Sequence, residues 1–160
     1  GSWVVLMNGT PAQIEMASSL RRVAQHYRIG PARRGLDDPS YVAQVQAFDG
    51  NGLRPYAPVH LRADVLGSGD IAVSWVRRTR IDGDGWDMVE VPLGEDIESY
   101  RVRVLKNGAV LREDSVAGPA WTYDAAAQAA DAALGAVEVE VAQLSARYGA
   151  GLAGRITVDL

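Results

Sequence analysis

The chain of 160 residues contains no cysteine, two histidines and a single phenylalanine. Without cysteine there are no disulfides, no zinc–thiolate sites and no thiol nucleophile. The two histidines, His26 and His60, lie far apart, and no Ser/His/Asp arrangement can be argued from their spacing. A long apolar run is also missing. None approaches the roughly 18 residues of a membrane helix, and the longest, such as Trp3 to Met7, are strand-sized. Basic clusters amount to Arg33-Arg34 and Arg77-Arg78 against a net charge of −4, which gives a nucleic-acid backbone no footing. Gly50-Asn51-Gly52 lacks the lysine and the following helix of a phosphate loop. No secretory leader is visible. Gly1-Ser2 has the look of a pair left by tag cleavage, so the chain is expected to be a piece of a longer protein.

What is present is a 48% hydrophobic content and 22% charge, enough to bury a core. Turn clusters at Asn8-Gly9-Thr10-Pro11 and Gly30-Pro31, and a polar loop from Arg33 to Ser40, punctuate the first third. Trp3–Met7 and Tyr41–Phe48 read as strands. Residues 19–29 fit two patterns: Leu20, Val23, Ala24 and Tyr27 share a helical face, while Val23, Gln25, Tyr27 and Ile29 alternate as a strand. We favour the strand, ending at Gly30-Pro31. Asp49-Gly50-Asn51-Gly52 is a strong turn, and Leu53 to Pro58 follows as a stiff connector with two prolines. The sequence therefore predicts a small β-rich segment over 1–56 and a larger unit over 57–160.

In that larger unit the period is two. Val59, Leu61 and Ala63 alternate with His60 and Arg62. Ile71, Val73, Trp75 and Arg77 follow the turn at Gly67 to Asp70. Tyr100, Val102 and Val104 alternate with Arg101 and Arg103, and Asn107-Gly108 is the favoured hairpin turn. Ala109–Val116 and Ala120–Tyr123 return. Val137, Val139, Val141 and Gln143 alternate with Glu138 and Glu140, and Arg155–Leu160 closes the set after the turn at Tyr148-Gly149-Ala150-Gly151. Asp124–Leu134, alanine-rich with an aspartate at its start and Gly135 after it, is the one predicted helix. About seven short strands at this spacing predict an all-β, two-sheet sandwich with a short inserted helix. Trp75, Tyr100, Val102, Val139 and Val141 are expected to be buried together, and Trp121 and Tyr123 with them.

The order Pro58, Trp75, Tyr100-Val102-Val104 and a final Val137-to-Ser145 strand with its glycine turn resembles a fibronectin type III (immunoglobulin-like) domain over Ala57 to Leu160. The long loop 82–92 and the alanine-rich helix depart from that pattern. Three further runs are Gly52-Leu53-Arg54-Pro55-Tyr56-Ala57-Pro58-Val59-His60-Leu61-Arg62-Ala63, Arg77-Arg78-Thr79-Arg80-Ile81-Asp82-Gly83-Asp84 with Val91 to Glu95, and Val141-Ala142-Gln143-Leu144-Ser145. They resemble the C-terminal part of the large baseplate protein of gene transfer agents, domesticated tailed phages that move host DNA between cells. That protein is also described as a host-specificity or TIM-barrel-like tail protein, and nothing here resembles the barrel. The resemblance implies a phage-tail-like particle made in the bacterial cytoplasm, with other tail and baseplate proteins as partners and host cell-envelope glycan as a further one.

The sharpest chemical feature is Asp82-Gly83-Asp84-Gly85-Trp86-Asp87. It fails the helix–loop–helix calcium pattern, because Trp86 and Leu93 occupy two ligand positions. A solvated, turn-rich loop is the expectation, with no metal and no cofactor. Asp82, Asp84, Trp86 and Asp87 are the candidate contacts to a partner or glycan. Trp86 either stacks on such a ligand or folds back to cap the sandwich. Among Glu95, Asp96 and Glu98, adjacent residues on one strand point to opposite faces, so the run does not by itself make a glycosidase pair, and no catalytic residue is assigned. Two functions compete: a non-catalytic assembly or attachment module, and a carbohydrate-binding accessory domain of a glycan-acting enzyme. Fold alone does not separate them.

Overall fold

A computed structural model describes residues 16–83 and 91–160. The chain divides into two compact units, Gly1–Asn51 and Gly52–Leu160. Gly52 to Tyr56, placed by the sequence reading with the first segment, belongs to the second unit, because Pro55 is buried there and its carbonyl accepts from Leu152 N–H at 3.3 Å. Trp3–Met7 lies outside the described residues.

The described residues of the first unit form a hairpin of β1 (Gln25–Ile29) and β2 (Val42–Gln46), antiparallel, with Tyr27 opposite Gln44. The strand reading of residues 25–29 is correct. Ser18–Leu20 makes a single 3₁₀ turn instead of continuing it. The Tyr27 ring meets Phe48 edge-on at 6.0 Å, and its hydroxyl donates to Met16 Sδ at 3.2 Å. In the connecting loop Gly30 lies flat beneath the Tyr41 ring, where an added Cβ would come within 2.5 Å of Tyr41 Cγ. Asp38 Oδ1 accepts from both the hydroxyl and the backbone N–H of Ser40, and these bonds hold its carboxyl below the usual carboxylate range.

The second unit has seven strands in two antiparallel sheets. β3 (Val59–Val65), β4 (Ile71–Val76) and β7 (Ala120–Tyr123) form one, in the order β3-β4-β7. β5 (Tyr100–Lys106), β6 (Ala109–Val116), β8 (Ala136–Ser145) and β9 (Gly149–Asp159) form the other, in the order β6-β5-β8-β9. Alternation turns Ile71, Val73, Trp75 and Tyr123 of one sheet towards Tyr100, Val102, Val104, Val137, Val139, Val141 and Val158 of the other, and all are buried. The Trp75 and Tyr100 rings meet edge to face at 5.2 Å across the gap. The predicted five-residue cluster is thus buried as one core. Trp121 is half-buried and stacks on Tyr123 at 5.3 Å. Asn107 and Gly108 both take positive φ, 52° and 80°, as the hairpin turn requires.

Two elements differ from expectation. The helix α1 spans only Ala125–Ala130. Asp124 caps it as predicted, accepting from Ala127 N–H at 2.6 Å. Its end is set by Asp131, whose carboxylate accepts two bonds from Arg112 (2.7 and 3.2 Å) and one from the Tyr123 hydroxyl (2.8 Å), and by Ala132, which turns to φ 49°. The last strand begins at Gly149, well before Arg155. Gly151 and Gly154 interrupt its side-chain pattern because the chain beside it leaves no room: a Cβ on Gly154 would come within 2.5 Å of the Pro58 carbonyl oxygen, and one on Gly151 would collide with that of Pro55.

Candidate functional site

The segment between β4 and β5 carries the candidate contacts. Of these, Asp82 is described: it is exposed and turns the chain at φ 46°. Asp84, Trp86 and Asp87 lie outside the described residues. Both ends of the segment are clamped by arginines. Arg77 Nη2 donates to the Val91 carbonyl at 2.6 Å, and its Nη1 lies 3.9 Å from Glu98. Arg80 donates through Nε and Nη2 to Glu95 Oε1 at 3.2 and 2.9 Å, and this pair is largely sequestered, with 16% and 7% of the side chains exposed. The Arg80 guanidinium also lies over the Tyr148 ring at 5.1 Å, so it ties the segment to the turn between β8 and β9. Beside it, Arg147 reaches Asp96 at 3.3 Å on the surface.

Smaller bonds shape the segment's first end. Thr79 Oγ1 donates to the Ile81 carbonyl at 2.9 Å and accepts from Ile81 N–H at 3.1 Å, a closed local loop. Gly94, at φ 70°, lies against Thr79 and Ile81. The Tyr100 hydroxyl donates to Glu98 at 2.7 Å. Burial, then that bond, pushes its ionisation above the ordinary tyrosine range.

Glu95, Asp96 and Glu98 are therefore each taken up by a different arginine, Arg80, Arg147 and Arg77, and do not converge on a common point. His26 and His60 are both exposed, one in each unit. The sequence reading missed the arginine clamp. Its signal was the run Arg77-Arg78-Thr79-Arg80 facing Glu95-Asp96-Ile97-Glu98 across one loop, two stretches of opposite charge at matching distance from the strand ends.

The outer face of the four-stranded sheet holds a second charged constellation. Glu113, Arg103, Glu140 and Arg155 stand opposite one another across β6, β5, β8 and β9. Arg103 lies 2.6 Å from Glu113 and 3.9 Å from Glu140, and Arg155 lies 2.8 Å from Glu140 and 3.3 Å from Glu138. Charges alternate along the row, so the face neutralises itself.

No family model matches the chain, and no curated protein does. Solved structures do. Domains d3-d4 of the rat CD45 extracellular region align over 100% of this chain and 76% of that one, at 9% identity and a TM-score of 0.50. The FN5 domain of Drosophila Lar aligns over 66% of this chain and 95% of its own, at 21% identity and a TM-score of 0.38. The FN1-FN3 domains of chicken CNTN1 align over 74% of this chain and 35% of theirs, at 17% identity and 0.44. At such identities the likeness is one of fold: the seven strands of the second unit form a fibronectin type III-like β-sandwich.

Proposed function

We propose that this chain is a non-catalytic structural or attachment module of a phage-tail-like particle, at its baseplate or tail tip. It would act in tail assembly or host-surface contact, and the particle would be built in a bacterial cytoplasm. Its partners are other tail proteins, and host cell-envelope glycan where the surface faces a cell. It works by surface complementarity and carries out no reaction. The resemblance of Gly52 to Ala63, Arg77 to Asp84 and Val141 to Ser145 to gene transfer agent baseplate proteins supports the particle assignment.

The observation that carries the reading is the sequestered Arg80–Glu95 pair stacked on Tyr148. It fixes the ends of the long segment 81–93 against the sandwich without using Asp82. Long loops with anchored ends are more often functional than idle. An indole among acids and glycines supplies the apolar face and hydrogen-bond acceptors that sugar rings and protein surfaces both need. One such loop binds weakly, and many copies on one particle supply the strength.

The test is Trp86→Ala. Thermal unfolding is expected to stay close to the parent, while retention on purified cell-envelope glycan, or co-purification with neighbouring tail proteins, falls. A variant that unfolds the sandwich would show that Trp86 caps the core, and the loop would lose its claim to contact.

A further inference from the structure

The two outer faces of the sandwich differ in how their cations are matched. On the four-stranded sheet, Arg103 and Arg155 each touch glutamates in the alternating row. On the three-stranded sheet, Arg62 has no such partner among the described residues. Asp64, two residues along the same strand, makes no ion pair with it. The His60 imidazole and the Ser74 hydroxyl likewise have no hydrogen-bond partner among the described residues.

These three groups are brought together by a β-bulge. Val59 stands opposite Val76 and Arg62 opposite Ser74, so His60 and Leu61 together face the single residue Trp75. His60 takes φ 52°, a left-handed conformation uncommon outside glycine. The bulge re-aims its side chain, and an open cleft of about 430 Å³ results, lined by His60, Arg62, Ser74, Trp75 and Val76. Clefts of roughly 300–1,000 Å³ accommodate small organic ligands.

We propose that this cleft binds an oxyanion, a carboxylate or a phosphate, carried on a sugar-sized polar molecule. Arg62 supplies the planar, two-pronged donor that oxyanions fit best. His60 and Ser74, which donate or accept, take the neighbouring oxygens. Val76, 52% exposed, offers an apolar wall to the carbon skeleton. The site lies on a sheet face made by β3 and β4, uses no residue of the segment 81–93, and stands or falls separately from the attachment reading.

The experiment is a titration of the full chain followed by amide resonances. The probes are galacturonate, galactose 6-phosphate, neutral galactose and inorganic phosphate. Saturable shifts at His60, Arg62 and Ser74 with at least one of the two acidic sugars are expected at concentrations on the order of 10 mM. Neutral galactose should leave them in place. Which acidic sugar responds identifies the anion. Arg62→Gln should weaken the response about tenfold or more; Arg62→Lys, which keeps the charge and loses the fork, should weaken it less. Arg155→Gln, on the self-neutralised face, should change nothing. Three results would overturn the proposal: no saturable shift with either acidic sugar, an undiminished response in Arg62→Gln, or equal shifts with inorganic phosphate, which would mark an adventitious ion only.

Discussion

The hairpin unit and the sandwich unit both pair antiparallel strands, yet they place their apolar residues differently. In the sandwich, Tyr100, Val104 and Val141 are 0% exposed. In the hairpin, Val42 is 65% exposed and Ile29 57%, and none of the described residues of Gly1–Asn51 is buried. Backbone pairing is unbroken in the hairpin and between β5 and β8 of the sandwich. Among the described residues the difference lies in the second layer: β1 and β2 pair only with each other, while the two sheets of the sandwich cover one another. A sheet face becomes a core only when another sheet or helix covers it, and a two-stranded hairpin by itself is marginal in water. Hydrogen bonds therefore set the register in both units, while the burial that stabilises lies in the sandwich.

Three perturbations sharpen that contrast. Trp75→Ala removes the largest ring at the meeting of the two sheets and should cost on the order of 3–5 kcal/mol. The measurement is the main unfolding transition in denaturant, and an unchanged midpoint would show that the sandwich does not depend on this contact.

Asp131→Asn should have a smaller effect that depends on pH. The bonds from Arg112 first, and then from Tyr123, hold the Asp131 carboxyl below its ordinary value against the opposing effect of burial. A carboxyl depressed in the folded state contributes stability that is fully present above its unfolded pKa. That contribution fades as pH falls through about 4 and below. The gap between the parent and Asp131→Asn should therefore be widest near neutrality and close as the solution is acidified towards pH 2–3. A gap that widens in acid would contradict the bonding described. Least of all, Phe48→Ala removes the edge contact to Tyr27 in the hairpin and should leave the main unfolding transition within about 0.5 kcal/mol of the parent. A large shift there would mean that the two units unfold together.

Much of the sandwich was legible because its strands obey a period of two and its turns use residues chosen by φ. Asn107-Gly108 and the Asp124 cap are local chemistry, and they appeared where the sequence placed them. What escaped was decided by neighbours distant in sequence. β9 was hidden because Gly151 and Gly154 are dictated by the carbonyls of Pro55 and Pro58, not by strand propensity. The helix stopped early because Asp131 answers to Arg112 and Tyr123. Glu140 alternates as a polar position, yet it is 6% exposed, because Arg103 and Arg155 close over it from both sides. In the candidate site, Asp82 was visible from composition, while the Arg77 and Arg80 clamp was not, since each partner lies on the far side of a loop. The bulge at His60 left no mark in the alternation of β3.

The glycines of β9 also bear on the order in which the molecule can be made. Pro55 to Pro58, the first stretch of the sandwich to leave a ribosome, lies against Gly151 and Gly154 in the last strand to emerge. Until β9 has been synthesised, β3 lacks that seam, β8 has an open edge, and the inward faces of Val137, Val139 and Val141 lack part of their cover. Contacts between the earliest and latest parts of a domain are slow to close. Between the completion of β8 and that of β9 the nascent sandwich thus exposes an unpaired strand edge, the condition in which sheets join to foreign strands. The charged side chains of β8, Glu138 and Glu140, sit on that edge strand before Arg155 arrives, with Arg103 of β5 already beside Glu140, and charge on an exposed edge disfavours pairing with a copy of itself.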